Sequence, residues 1–220
     1  ATFNNKFTQI LDNITTRLDQ MEQRLMSAKV PNLLDDITTR LDKMEQKFMT
    51  EIDNLKSIEF ISPVFNTNHP NASYCSFAQN NKKVTYARKN THGRGYCALF
   101  GRDPIPKSKK VKFSITLDQG SYMAIGLAPG SLFNSVSCYS STYSYCGESH
   151  GMYGFGGQAK FGATQGSVLS ITSNLATGEV IFEVNDKEIF RGVIPENVLK
   201  NNDMYPFVEF WSLNLSVRFL

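Results

Sequence analysis

Cysteine and histidine, the residues that most often bind metals or act as nucleophiles, are few in this chain. The 220 residues contain four cysteines and three histidines. No two cysteines have the C-x-x-C spacing, and no histidine stands at a metal-ligand distance from them, so the sequence predicts no metal site. The simplest interpretation is unpaired thiols, although Cys138 and Cys146 flank a Ser/Tyr-rich loop and could bridge in an oxidising compartment. The full set is Cys75, Cys97, Cys138, Cys146, His69, His92 and His150.

Catalytic motifs are also missing from the sequence. The three histidines lie in polar or glycine-rich segments without a nucleophile-bearing motif nearby. The segment GMYGFGGQAKFG, residues 151–162, has the glycine content of a phosphate-binding loop. A P-loop lysine is followed by Ser or Thr at the start of a helix, whereas Lys160 is followed by Phe161. We therefore predict a non-enzyme without cofactor or metal.

Charge and hydropathy exclude two further classes of protein. The formal net charge is +3, and lysine and arginine are spread along the chain. A nucleic-acid-binding protein would concentrate them on one basic face. No apolar run approaches the length that spans a bilayer. We expect no nucleic-acid or membrane partner and a cytoplasmic location, with association with the cytoskeleton as one form of it.

An internal repeat dominates the N-terminal 58 residues. ITTRLDQMEQRLM, residues 14–26, recurs almost unchanged as ITTRLDKMEQKFM, residues 37–49. In both copies apolar residues recur every three or four positions, which is typical of an amphipathic helix. Self-association or docking on a partner helix is expected through these stripes. The predicted contact residues are Ile14, Leu18, Met21, Leu25, Ile37, Leu41, Met44 and Phe48.

The connection between the two copies decides how the helices are arranged. Pro31 lacks a backbone donor and disfavours a helical Val30, so a helix is expected to end or begin there. If the chain reverses at this point, Leu18 comes opposite Leu41, and apolar residues meet along an antiparallel helical hairpin. A kinked parallel coiled coil is the alternative. A further possibility is that both stripes only cover the C-terminal body.

Beyond residue 58 the period changes from 3.6 to 2. KVKFSITL, residues 110–117, alternates apolar and polar side chains as a half-buried antiparallel strand does. EVIFEV, residues 179–184, does the same, and Asn185-Asp186 then predicts a hairpin turn. Many short strand candidates with Gly, Asn and Pro between them indicate a β-sandwich over residues 59–220.

The order of these strands carries a resemblance to a known family. KVKFSITL, YMAIGLAP, GSVLSITSNLATGEVIFEVNDKEIF, MYPFVEFW and LSVRF follow one another as in the SPRY domain. The resemblance covers roughly residues 60–220 and implies a mainly β fold: a SPRY-like antiparallel β-sandwich, here after an α-helical coiled-coil hairpin. Three positions depart from the family pattern. Asp186 replaces a usual Gly, Asn174 a common Asp, and Phe113 a frequent Trp.

The resemblance also implies a function, since SPRY domains are non-catalytic modules that bind protein partners through loops at one end of the sandwich. Trp211 falls where members of the family often present an aromatic ring to a ligand. The long segment at residues 130–151 is rich in Tyr and Ser, a composition typical of adaptable recognition surfaces. The predicted protein-binding residues are Trp211, Tyr139, Tyr143, Tyr145, Phe133 and Arg102.

Three functions are consistent with this organisation. The leading hypothesis is an adaptor or scaffold protein, in which the helices serve for oligomerisation or docking and the SPRY-like head captures a protein segment. The second is a permanently assembled structural component, such as a cytoskeletal protein. The third is a secreted glycan-binding lectin, which a Cys138–Cys146 disulfide or occupied glycosylation sequons would favour.

Overall fold

A computed structural model describes residues 2–27, 31–87, 96–135, 138–147, 149 and 151–220. The chain divides into two compact units, Ala1–Leu55 and Lys56–Leu220. Within the described residues, no helix is both long and apolar enough to cross a membrane.

The N-terminal unit contains two helices of equal length, α1 (Thr2–Ser27) and α2 (Pro31–Lys56). Pro31 is the first residue of α2, where the missing N–H group would have no helical partner anyway. The repeated threonines are accommodated within the helices because their hydroxyls donate to carbonyls one turn earlier. Thr16 donates to Asp12 over 2.8 Å, and Thr39 donates to Asp35 over the same distance.

The described residues of the C-terminal unit form a sandwich of two sheets with the α-helix α3 (Glu196–Asn201). The larger sheet has the order β11-β10-β9-β5-β13-β3-β2, and β1 pairs with β5 in parallel. The smaller sheet has the order β4-β12-β6-β7-β8. The strands of the larger sheet are β1 (Ile58–Phe60), β2 (Cys75–Ala78), β3 (Lys83–Tyr86), β5 (Lys110–Gln119), β9 (Val168–Asn174), β10 (Glu179–Val184), β11 (Lys187–Val193) and β13 (Ser216–Phe219). Those of the smaller sheet are β4 (Cys97–Phe100), β6 (Met123–Pro129), β7 (Tyr143–Cys146), β8 (Met152–Tyr153) and β12 (Met204–Phe210).

Alternation along the strands builds the core between the sheets, as the sequence pattern predicted. On β5 every second side chain, Val111, Phe113, Ile115 and Leu117, is buried. The burial of apolar surface, which contributes about 25 cal/mol per Å², is the main stabilising term for such a sandwich. The Asn185-Asp186 turn joins β10 to β11, and both residues have positive φ, 49° and 64°. Asp tolerates this left-handed conformation, so the departure from Gly at residue 186 leaves the hairpin intact.

Candidate functional site

A second apolar cluster, which we call the outer-face cluster, lies on the outer face of the smaller sheet. Alternate residues of β4, β12 and β6 point away from the main core and pack under residues 130–135 and 138–142, which we call the covering segment. Gly126 of β6 permits the close approach of β7, since a Cβ there would lie 2.2 Å from the carbonyl oxygen of Tyr143. The cluster consists of Ala98, Phe100, Ala124, Ala128, Cys138, Cys146, Phe207 and Trp211, with Leu132, Phe133, Tyr153 and Tyr205 packed against it.

A buried carboxylate anchors the covering segment to this face. Glu209 of β12 is fully buried, and its register partners are the small residues Ala98 and Ala124. The backbone N–H of Cys138 donates to Glu209 Oε2 over 2.8 Å. Burial, together with the nearby Glu209 charge, raises the pKa of the Cys138 thiol to about 12. Cys138 therefore stays protonated at neutral pH and is a poor nucleophile.

A buried histidine supports the same segment from the other side. The His69 ring stacks on Phe100 at 5.3 Å between ring centroids and meets Phe133 edge-on at 4.7 Å. Its Nδ1 accepts a hydrogen bond from the N–H of Asn71, whose side-chain amide donates to the carbonyl of Ala98. Burial lowers the pKa of His69 to about 4, and a hydrogen bond with the Phe133 backbone opposes only part of this effect. His69 is thus a neutral packing residue at physiological pH.

The strand register brings three aromatic residues to the end of the outer face of the smaller sheet. The last register pairs join Phe210 to Cys97 and to Met123. Continuing both registers by one residue places Trp211, which follows β12, beside Tyr96 and Tyr122, and the alternation puts all three on the outer side of the pleat. We call Tyr96, Tyr122 and Trp211 the aromatic rim.

The aromatic rim combines an exposed surface with a fixed base. Tyr96 and Tyr122 are 37% and 40% exposed, whereas Trp211 is 9% exposed. The Tyr122 ring meets the Trp211 ring edge-on with 5.3 Å between ring centroids. The backbone N–H of Trp211 donates to the backbone carbonyl of Tyr122 over 3.2 Å. Trp211 therefore supports the exposed Tyr122 from below. Tyrosine rings held in this way offer contact area at a small cost in conformational entropy.

The two tyrosines predicted on the recognition loop lie in the core instead. Residues Tyr143–Cys146 form β7, and its alternation directs Tyr143 and Tyr145 inward. Tyr145 Oη accepts a hydrogen bond from the N–H of Ala163 over 2.7 Å, and the Tyr143 ring packs edge-on against Phe155. Neither ring is exposed at the surface, so we exclude these two residues from the predicted protein-binding residues.

The other predicted binding residues are dispersed. Phe133 is half-buried against Phe100 and His69. Arg102 is exposed and forms an ion pair with Asp103 at 3.1 Å, a contact that contributes little in water. Tyr139 begins a short 3-10 helix, and its side chain lies outside the described residues.

Sequence reasoning missed Tyr96, Tyr122 and Glu209. Glu209 had a detectable signal, because it is the one acidic residue in the apolar strand MYPFVEF. Tyr96 and Tyr122 had none, since each simply precedes a strand, and only the register brings both beside Trp211. Among the residues that the structure describes, no three His, Cys, Asp or Glu side chains are grouped to hold a metal ion.

The helical unit carries a separate apolar feature. A groove of about 850 Å³ lies between α1 and α2, and we call it the helical groove. Residues of both repeats line it, among them Leu18 of α1 and Leu41 of α2. The lining consists of Ile10, Asn13, Ile14, Arg17, Leu18, Met21, Leu41, Met44, Glu45 and Phe48. Of the other predicted contact residues, Ile37 is half-buried, and the Leu25 side chain lies outside the description.

Comparison with known proteins identifies the fold of the C-terminal unit. No protein-family model matches the sequence, and no curated protein matches it. Among solved structures, a human SPRY domain is 16% identical with a TM-score of 0.52, and the match covers 66% of this chain and 94% of that chain. The SPRY domain of human HERC1 is 14% identical with a TM-score of 0.55, covering 70% and 96%. The TRIM65 PSpry domain is 10% identical with a TM-score of 0.53, covering 74% and 93%.

These similarities confirm the resemblance that the strand motifs suggested. The chain is mainly β and has a SPRY-like antiparallel sandwich after two N-terminal helices. At 10–16% identity the comparison defines the fold, while the ligand depends on the surface residues.

Proposed function

We propose that this chain is a non-catalytic protein-interaction protein whose SPRY-like unit binds a protein segment at the aromatic rim. The observation that carries the proposal is the edge-on contact of Tyr122 with Trp211 at the end of the sheet. The continued register places Tyr96 beside Trp211, and both tyrosines are more than one-third exposed. Tyr and Trp dominate the energy of protein interfaces when they are held rigidly near its centre. The SPRY resemblance supports the same class of partner.

The base of the rim is suited to a fixed recognition surface. Trp211 packs with the outer-face cluster, and the covering segment is attached to the same face through Glu209. A partner that contacts Tyr122 would therefore meet a side chain whose position is already restricted by Trp211. Such pre-organisation lowers the entropy lost on binding.

We propose that the helical unit associates with a second copy of itself. Leu18 and Met44 in the helical groove remain exposed, and apolar surface of this kind gains free energy when a partner covers it. A second hairpin supplies the same stripes, as in a four-helix bundle. Arg17 and Glu45 beside the groove are opposite charges that a two-fold symmetric partner could pair.

Together the two units would make an adaptor with more than one head. Two SPRY-like heads on one helical assembly raise the effective concentration of the second binding site, and a weak single-site affinity becomes sufficient. The cytoplasmic location expected from the sequence remains part of this proposal.

Replacement of Tyr122 by Ala is expected to remove binding of the partner. The full chain is used to capture proteins from a cell extract, and a captured protein is then titrated against purified variants. Loss of a central aromatic contact typically costs about 2 kcal/mol or more, so we expect the Kd to rise roughly 30-fold. The matched control is Phe161→Ala, since Phe161 is 39% exposed and lies outside the rim.

The control separates a specific site from general stickiness. Both variants should unfold at nearly the wild-type temperature, because each removes a partly exposed ring. If Tyr122→Ala and Phe161→Ala capture the same proteins with equal affinity, the rim is not the recognition surface.

A further inference from the structure

Two cysteines that are distant in sequence come together at the edge of the sandwich. Cys75 is the first residue of β2, and Cys97 is the first residue of β4. Their Sγ atoms are 3.5 Å apart. A disulfide bond requires about 2.05 Å, so the two sulfurs would need to approach by roughly 1.5 Å.

The two strands belong to different sheets. β2 is an edge strand of the larger sheet, and β4 is an edge strand of the smaller sheet. A covalent bond between Cys75 and Cys97 would therefore fasten the open edges of the two sheets to each other. Backbone hydrogen bonds already hold both residues in place, since Cys75 pairs with Tyr86 and Cys97 with Phe210.

The surroundings of the two thiols differ, and this difference determines which thiol reacts first. Cys75 is half-buried, whereas Cys97 is fully buried. Contact with Cys75 and burial raise the pKa of Cys97, which stays a thiol until it reacts. The Cys97 thiol points toward the carbonyl of Asn71 at 3.8 Å. Cys75 is thus the thiol that reacts first with the oxidant, and Cys97 is the resolving thiol.

We propose that Cys75 and Cys97 form a reversible disulfide that links the two sheets of the SPRY-like unit. The oxidant is a small-molecule disulfide of the glutathione type. The Cys75 thiolate attacks one sulfur of that disulfide, the S–S bond of the small molecule breaks, and a mixed disulfide forms at Cys75 with release of one small thiolate. Cys97 then gives its proton through solvent to the released thiolate and attacks Cys75 Sγ, which breaks the mixed disulfide and releases the second small molecule as a thiolate. That thiolate takes up the proton that Cys75 lost to solvent at the start. In total, two protein thiols and one small disulfide yield one protein disulfide and two small thiols.

This assignment differs from the pair that the sequence suggested. Cys138 and Cys146 both pack in the outer-face cluster, and the contact between sulfurs that the structure describes joins Cys75 and Cys97 instead. The bridge is independent of the partner proposed for the aromatic rim. It therefore stands or fails separately from the proposed function.

The test uses the reduced full chain exposed to oxidised glutathione and then alkylated under denaturing conditions. We expect two of the four thiols to be protected and a non-reduced digest to contain the Cys75 peptide joined to the Cys97 peptide. Cys75→Ser should retain all its remaining thiols in alkylatable form or as small adducts, and Cys138→Ser should still form the bridge. A stable glutathione adduct on wild-type Cys75, a Cys138–Cys146 peptide or four free thiols would overturn the proposal.

Thermal unfolding gives a second readout on the same samples. A bridge that fits the folded structure should raise the midpoint of wild-type unfolding by roughly 5–10 °C on oxidation. Cys75→Ser should show no such rise. A lower midpoint for the bridged protein would mean that the fold must distort to close the bond, contrary to the close approach of the two sulfurs.

Discussion

Leu41→Glu is expected to abolish the self-association that we propose for the helical unit. Leu41 lines the helical groove, as Leu18 does, and is half-buried there. A second copy seated on the groove would bury the new carboxylate among apolar side chains without a partner for its charge. That cost is several kcal/mol, so the dissociation constant should rise at least about 100-fold. Sedimentation velocity over a wide range of protein concentrations measures this change directly.

Gln46→Glu is the matched control for this experiment. It adds the same charge to the same helix, but Gln46 is exposed and does not line the groove. Glutamate is also a good helix former, so neither substitution should disrupt α2. The control should associate as the wild-type chain does. A wild-type chain that is monomeric at all concentrations, or two variants with equal association, would contradict the proposed interface.

Acidification is expected to destabilise the SPRY-like unit through His69. Burial holds the pKa of His69 at about 4 in the folded protein, against 6.5 as its ordinary value. The unfolded chain therefore binds more protons than the folded chain between these two values. Stability is complete above pH 6.5, falls as the pH decreases, and stops falling on this account near pH 4. The difference corresponds to about 3 kcal/mol over the whole window.

The comparison that isolates this effect uses His69→Asn. Asn has no titratable group, and its side-chain oxygen can replace His69 Nδ1 as the acceptor for the N–H of Asn71. Carboxylates titrate equally in both proteins, so the difference between them reports on His69. Between about pH 7.5 and about pH 4.5, urea unfolding should show a loss of stability about 2–3 kcal/mol larger for the wild type than for His69→Asn. Equal losses would mean that protonation of His69 does not oppose folding.

Local patterns in the sequence were sufficient for the elements and for the fold. The period of 3.6 residues before residue 58 predicted two helices, and Pro31 located the start of the second. The alternation of residues 110–117 predicted both the strand and its buried face. The Asn185-Asp186 turn predicted the β10–β11 hairpin. Each of these signals depends on neighbouring residues only, because backbone sterics and periodic burial act locally.

The tertiary structure decided which residues make the candidate site. Period 2 states which face of a strand is buried, but it does not state which strand lies beside it. Trp211 could be proposed from its motif, whereas Tyr96 and Tyr122 join it only through the register of β4, β12 and β6. Tyr143 and Tyr145 resembled a recognition loop by composition, yet β7 turns both rings inward.

The cysteines also show which contacts the sequence does not specify and the tertiary structure does. The sequence favoured unpaired thiols and left Cys138 and Cys146, which flank a Ser/Tyr-rich loop, as the pair that could bridge. The sandwich instead brings Cys75 against Cys97 across the edges of two sheets. The sequence by itself thus determined the helices, the strands and their buried faces, since those depend on local periodicity. The aromatic rim, the Glu209 anchor and the thiol pair depend on contacts between strands that are far apart in the chain, and only the folded sandwich specifies them.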